Sequence, residues 1–330
     1  MLSSIIRSRV YEAAHILQSG GLVAFPTETV YGLGANAFNS SAVAKIFEVK
    51  GRPMDNPVIV HLASIRDIGR VARSVPSIAR KLARVFWPGP LTLVLPRHPD
   101  IPLVVTGGLD TVAVRVPDHL IARAFIRAAG VPIAAPSANI SGKPSPTTAA
   151  HLAHDFGDRV PFVLDGGRTR VGVESTVVDC TADPPTILRQ GGITYETLRR
   201  VVPTIVVATH TTSHKSPGTR YRHYAPRAPL MLTMSHNGDD MVSEIQQYID
   251  AHRAERVGVL ATNEYAPRYR GAAAVVALGS RRNLRACARR LFAALREFDT
   301  MDVDRIIAER FLEVGIGAAL MDRLRRAAQG

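Results

Sequence analysis

Lys50-Gly51-Arg52-Pro53-Met54-Asp55-Asn56-Pro57 runs directly into Val58-Ile59-Val60-His61. Two cations, a glycine, two prolines and an asparagine thus precede a short apolar run that ends in histidine. Pro53 and Pro57 each fix φ and push the residue before them towards extended backbone, so the loop is held in shape. A shaped loop carrying Lys50 and Arg52 suits an anion. A basic surface turn would use the same residues, and the segment alone does not choose between the two.

Four other segments concentrate polar groups at the ends of strand-like runs. Leu22 to Phe25 reads as a buried strand stopped by Pro26, and Thr27, Glu28, Thr29 and Tyr31 follow it. Strand ends are where ligands commonly sit in α/β folds. Asp110-Thr111-Val112-Ala113-Val114-Arg115-Val116-Pro117 alternates as a strand and carries an arginine among apolar residues. Such an arginine needs a carboxylate or phosphate, from a ligand or from the protein itself. Ile133 to Gly142 passes from a strand into small hydroxyl and amide residues, Ser137, Asn139 and Ser141, which leave room for a ligand at the backbone. Glu174 to Asp179 precedes Ile187-Leu188-Arg189-Gln190-Gly191-Gly192, which puts a second arginine at a strand end.

Seven stretches, PTETVYGLG, KGRPMDNPVIVH, WPGPLTLVL, TVAVRVP, APSANISG, ESTVVD and LRQGG, follow one another over roughly residues 10–200. In that order they resemble the YrdC/Sua5 family of threonylcarbamoyl-AMP synthases. The residues beyond them, and Ser216-Pro217-Gly218-Thr219-Arg220-Tyr221-Arg222-His223-Tyr224-Ala225-Pro226, resemble the longer Sua5 branch and its linker, although a bulkier residue often replaces Thr219 there. The resemblance implies a YrdC-like α/β domain, a twisted mixed sheet with flanking helices, at 1–202. It also implies a linker or lid at 203–228 and a smaller Rossmann-like α/β domain at 229–330.

The implied reaction joins L-threonine, bicarbonate or CO2, and ATP into threonylcarbamoyl-AMP and pyrophosphate, for N6-threonylcarbamoyladenosine at the adenosine following the tRNA anticodon. On matching positions, threonine is expected at Thr29, His61, Arg115, the backbone of Ala135, and Ser175. ATP is expected at Arg52, Asn56, Thr111, Ser137, Ser145 and Arg189, with Tyr224 as a lid contact and Lys50 near the phosphates. Lys50 and Arg52 are the expected catalytic cations. Mg²⁺ is expected to travel with ATP, with no metal site of the protein's own. The product would pass to the tRNA threonylcarbamoyl-transfer machinery. The carbamoyl-transfer maturation factors built on the same domain are disfavoured, because their zinc-finger and acylphosphatase-like segments are absent.

The elements that must position these residues can be read coarsely. Helices are expected over 8–19, 42–50, 119–129 and 148–156, with one or two more over 65–85, the second starting at Pro76. Strands are expected over 22–25, 58–62, 91–95, 133–135, 162–164, 175–179 and 186–189. Beyond the linker, strands over 230–234, 257–261, 274–278 and 305–308 alternate with helices over 241–252, 284–298 and 316–328. That alternation implies a small parallel sheet.

Composition excludes several classes. Two cysteines in 330 residues, Cys180 and Cys287, make neither a disulfide framework nor a thiolate metal site and fit a reducing, cytoplasmic setting. No apolar block has signal-peptide length at the N-terminus, and no run reaches the roughly 18 residues of a membrane span. A net charge of +13 points to anionic partners, RNA contact through the basic surface included. The alternative function is therefore a double-stranded RNA-binding module without catalysis. Such a module needs cations spread over a surface, whereas the distinctive residues here are hydroxyls, prolines and arginines at strand ends. Gly32-Leu33-Gly34-Ala35-Asn36-Ala37 satisfies a dinucleotide fingerprint but follows PTETVY instead of opening from a strand into a helix. His151, His154 and Asp155 fit a solvated helix end better than a metal site. Neither a Walker A loop nor a GxSxG elbow occurs.

Overall fold

The computed structural model describes residues 2–208 and 223–329. By its internal contacts the chain divides into two units. The first comprises Met1–Ser141, Pro146–Arg170 and Glu174–Arg220; the second comprises Gly142–Ser145, Val171–Val173 and Tyr221–Gly330.

In the first unit the order is α1 (Ser4–Gln18), β1 (Val23–Phe25), β2 (Gly32–Asn36), α2 (Ser40–Lys50), β3 (Ile59–His61), α3 (Ser77–Phe86), β4 (Leu91–Pro96), α4 (Leu103–Thr106) and β5 (Thr111–Arg115). There follow α5 (Leu120–Ala129), β6 (Ile133–Ala135), α6 (Ala149–Phe156), β7 (Thr176–Asp179), β8 (Thr186–Arg189), α7 (Tyr195–Val201) and β9 (Val206–Val207). The strands make one mixed sheet in the order β1-β2-β6-β3-β5-β4-β7-β8-β9.

Successive side chains of a strand point to opposite faces, so the register assigns each residue to a side. One face sends Val60, Leu91, Leu93, Leu95, Val112, Val114, Ala134 and Val178 into the main core, where Val43, Ile46 and Phe47 of α2 and Ala79 and Leu82 of α3 meet them. The other face is covered unevenly. Near β1 and β6, α1 and α5 pack on Val23, Phe25, Ile133 and Ala135. Over the middle of that face, Ile59, Val94, Ala113, Val177 and Leu188 form a separate small cluster to which no described helix contributes.

Four expectations need correction. The opening helix begins at Ser4, four residues before the expected start, because the Ser3 hydroxyl accepts from Ile6 N and caps it there. Residues 162–164 form no strand: Val163 makes a single bridge to Ala24. The glycine-rich Gly32–Asn36 segment, passed over as a failed fingerprint, is strand β2, antiparallel to β1 and β6. Residues 203–208, expected to begin a linker, instead include β9, which pairs parallel with β8.

The second unit carries β10 (Leu230–Leu232), α8 (Gly238–Ala251), β11 (Val257–Ala261), β12 (Ala274–Ala277), α9 (Leu284–Phe298), β13 (Arg305–Ala308) and α10 (Ile316–Ala328). Its four strands are parallel, in the order β10-β13-β11-β12. Of the expected linker and lid, residues 209–222 lie outside the described residues.

Candidate active site

Helix α2 delivers the basic loop. Val43, Ile46, Phe47 and Lys50 recur at helical spacing on its buried side, and the Asn39 side chain caps its start by accepting from Ala42 N. Gly51 adopts the left-handed conformation, with φ of 60°, and stops the helix. Arg52 N then bonds back to Phe47 O at 2.9 Å. The loop that follows closes on Arg52, whose Nε donates to Asn56 O at 3.2 Å and whose Nη2 donates to Pro57 O at 2.9 Å. Arg52 and Asn56 are both buried. Lys50 turns inward: its Nζ donates to the carbonyls of Ser137 and Asn139 and ties the end of α2 to the loop after β6. In that loop Ser137 Oγ donates to Asn139 Oδ1 at 2.5 Å.

Parallel pairing of β3 with β5 places His61 directly beside Arg115 at the carboxyl ends of both strands, on the same face as the Ile59–Ala113 floor. Ala135 of β6 pairs with Ile59 on that face. Arg115 is 3% exposed and engages three neighbours: Nε donates to Gly89 O at 3.2 Å, Nη1 donates to Thr29 Oγ1 at 2.9 Å, and Nη2 lies 2.7 Å from Glu28 Oε1. The buried arginine thus has a protein carboxylate for partner. The Glu28–Arg115 contact is close but misaligned: neither Glu28 oxygen accepts a hydrogen bond, and Arg115 Nη2 donates none. Glu28 is held in place by the turn that Thr27 builds, its Oγ1 donating to Val30 O at 2.6 Å while accepting from Thr29 N.

Burial drives the His61 pKa down to about 3, and the Arg115 guanidinium adds to that shift. The imidazole is therefore neutral at any physiological pH. Its Nδ1 is buried without a hydrogen-bond partner, and its ring stands edge-on to Phe25, 5.6 Å between centroids. His119, at the start of α5, is also shifted down by burial, against the opposing pull of the Glu28 carboxylate.

Across β4 and β7 the floor acquires a hydroxyl wall. Ser175 Oγ lies 2.7 Å from Thr92 Oγ1 and accepts from Arg189 Nη2 at 3.3 Å, while the Ser175 carbonyl accepts from Arg189 Nη2 at 3.0 Å. Thr92 was not singled out from sequence. Its position in the alternation of Leu91–Pro96, opposite in side to Leu91 and Leu93, is the signal that could have found it. Glu28 was noticed only as one polar residue of a strand end. Thr111 opens β5. Ser145 and Tyr224 belong to the second unit, where both are buried. There the Tyr224 ring packs on Phe292 with 5.1 Å between centroids. His151 Nδ1 accepts from Thr147 N at 3.2 Å, as a helix-end residue does. Among the described residues no group of three or more His, Cys, Asp or Glu could hold a metal ion, and no helix is long and apolar enough to cross a membrane.

Charge and geometry together favour a small anionic or zwitterionic ligand: two buried guanidinium groups, a buried carboxylate, a neutral histidine and three hydroxyls around an apolar floor. Comparison with known proteins agrees. Residues 15–191 match the Sua5/YciO/YrdC family model, described as "Telomere recombination", and residues 193–329 match the "Threonylcarbamoyl-AMP synthase, C-terminal domain" model. The chain is 48% identical to threonylcarbamoyl-AMP synthase of Pyrococcus abyssi, covering 98% of this chain and 96% of that protein. It is 50% identical to threonylcarbamoyl-AMP synthase of Bacillus subtilis, covering 98% and 93%. The solved structure of P. abyssi Sua5 complexed with L-threonine superposes with a TM-score of 0.93 at 47% identity, over 98% of this chain and 95% of that one. The chain belongs to the Sua5/YrdC family of threonylcarbamoyl-AMP synthases.

Proposed function

We propose that this protein catalyses formation of L-threonylcarbamoyl-AMP and pyrophosphate from L-threonine, bicarbonate or CO2, and ATP, as the activated intermediate for threonylcarbamoyladenosine in tRNA. The observation that carries the reading is the side-by-side placement of neutral His61 and buried Arg115 at the ends of parallel strands, above the helix-free floor.

The threonine carboxylate takes two of the Arg115 N–H groups that donate no hydrogen bond within the protein, in the paired geometry a guanidinium favours. Thr29, His61, the Ala135 backbone and Ser175 orient the rest of the amino acid. The threonine amine is carboxylated first, and the carbamate then attacks the α-phosphate of ATP. That approach is opposed by charge, since two unit charges about 4 Å apart repel by about 4 kcal/mol at an effective dielectric near 20. Arg52 and Arg189, with Asn56, Thr111 and Ser137, hold the nucleotide, and the arginines offset the repulsion. Lys50 acts through its charge and by bracing the Ser137–Asn139 turn. Mg²⁺ arrives as part of the substrate, bound to the triphosphate. Phosphoryl-type transfer needs positioning and charge neutralisation more than covalent help, which suits a lining without a nucleophile–base pair. The product is handed to the tRNA threonylcarbamoyl-transfer machinery, and a reaction that uses ATP and serves tRNA belongs in the cytoplasm.

Incubation with all three substrates, then with each omitted in turn, tests the reading. Pyrophosphate should appear only in the complete mixture. Equal release without threonine would make the protein an ATPase, and no release alongside tight binding of duplex RNA would make it an RNA-binding module.

A further inference from the structure

We propose that Glu28 is the anchor for the α-ammonium of threonine, and therefore the residue that selects an amino acid over the equivalent hydroxy acid. This rests on the reading of the Arg115 face as the threonine site. Glu28 is 2% exposed, and a buried carboxylate is costly unless paired and hydrogen-bonded. It is paired, at 2.7 Å from Arg115 Nη2, yet both of its oxygens lack a hydrogen-bond donor. A buried ion pair with idle acceptors does little for stability, since well-packed apolar residues in its place are often neutral or better. The idle acceptors are explained if something arrives to fill them.

Charge identifies what arrives. Arg115 contributes one positive charge, Glu28 one negative, and His61 none, because burial holds it neutral. Burial also shifts His119 down, against the upward pull of the Glu28 carboxylate. A zwitterion keeps this balance: its carboxylate meets the remaining Arg115 N–H groups while its ammonium donates to Glu28. A hydroxy acid anion would leave the Arg115–Glu28 pair with one negative charge in excess, and its hydroxyl would give Glu28 a single neutral hydrogen bond in place of the charge-assisted bonds of an ammonium. Glu28 lies one residue from Thr29, which Arg115 Nη1 already holds, so both halves of the clamp sit on one turn.

Calorimetric titration with L-threonine and with 2,3-dihydroxybutanoate, the same molecule with hydroxyl for amine, reads the role directly. The wild-type protein should prefer threonine by about 100-fold, because the hydroxyl brings the buried carboxylate neither a positive charge nor more than one donor. In Glu28→Gln the preference should fall to within about 3-fold, chiefly through weaker threonine binding, because the charge partner of the ammonium is gone. Equal losses for both ligands would mean that Glu28 only props Arg115, and no loss would remove it from the site; either result overturns the proposal. Should Glu28→Gln not fold, Glu28→Asp keeps the charge but withdraws it by one methylene, and an undiminished preference there is equally fatal. A wild-type protein that makes threonylcarbamoyl-AMP but does not distinguish the two ligands loses Glu28 and keeps the site. One that binds neither loses the site itself.

Discussion

Arg115 is tied to the protein by two hydrogen bonds and one ion pair before any substrate arrives. Its loss would strand Glu28 as an unpaired buried charge, so Arg115→Ala should lower unfolding free energy by about 3–5 kcal/mol and raise the threonine KM steeply. Arg115→Lys should recover only part of both, since an ammonium cannot reproduce the planar fork; urea unfolding and steady-state kinetics measure the two effects. His61 makes a pH prediction. The unfolded chain takes up this proton near pH 6.5, but the folded protein does so only near pH 3. Between those values the unfolded state binds more protons, so stability falls as pH drops. In His61→Gln the loss of unfolding free energy from pH 7 to pH 4.5 should shrink by up to about 2.5 kcal/mol. His119 is common to both proteins and cancels. An identical acid limb in the two would mean that His61 is not held neutral. Arg115, Arg189, His61, Thr29 and Ser175 were legible in sequence because each lies within or beside a short apolar run, whereas Thr92 was not. Their pairings were not: Thr92 meets Ser175, and Glu28 meets Arg115, only because the sheet brings distant strands together.

At the scale of elements, strand positions in both units followed from short apolar runs and from alternation, and the parallel β10–β13 sheet from its βαβ rhythm. Strand β2 escaped because Gly32 and Gly34 carry no side chains to alternate, and β strands read through packed side chains. Val163 misled in the opposite sense: its apolar triplet, Phe162 to Leu164, makes only one bridge, to Ala24. The sheet order could not be read, since pairing between strands far apart in sequence depends on long-range burial. Gly191 tests how tightly the β8 end supports the hydroxyl wall. A Cβ there would overlap the Glu174 carbonyl oxygen and the backbone of Ser175 and Thr176. Gly191→Ala should therefore cost about 1–3 kcal/mol in unfolding free energy. Because the strain falls on Ser175, turnover at saturating ATP should fall as well. A stable, fully active Gly191→Ala protein would mean that Ser175 is not held where the account needs it.

For the whole molecule, the charge of +13 acts on substrates according to their own charge. ATP is a polyanion and threonine is a zwitterion with no net charge. Raising ionic strength from about 0.05 to about 0.5 M shortens the screening length several-fold, so the ATP KM should rise several-fold while the threonine KM stays nearly constant. Parallel rises in both would locate the effect in folding and not in steering. The central claim is that one site joins the threonine nitrogen, a one-carbon acid and the α-phosphate of ATP. Its most direct measurement is mass spectrometry of the nucleotide product made from ¹³C-labelled bicarbonate, unlabelled L-threonine and ATP. The account predicts threonylcarbamoyl-AMP one mass unit heavier than the unlabelled product, with the label in the carbamoyl group and pyrophosphate released in equal amount. AMP and pyrophosphate without a labelled adduct, or threonyl-AMP lacking the extra carbon, would contradict it.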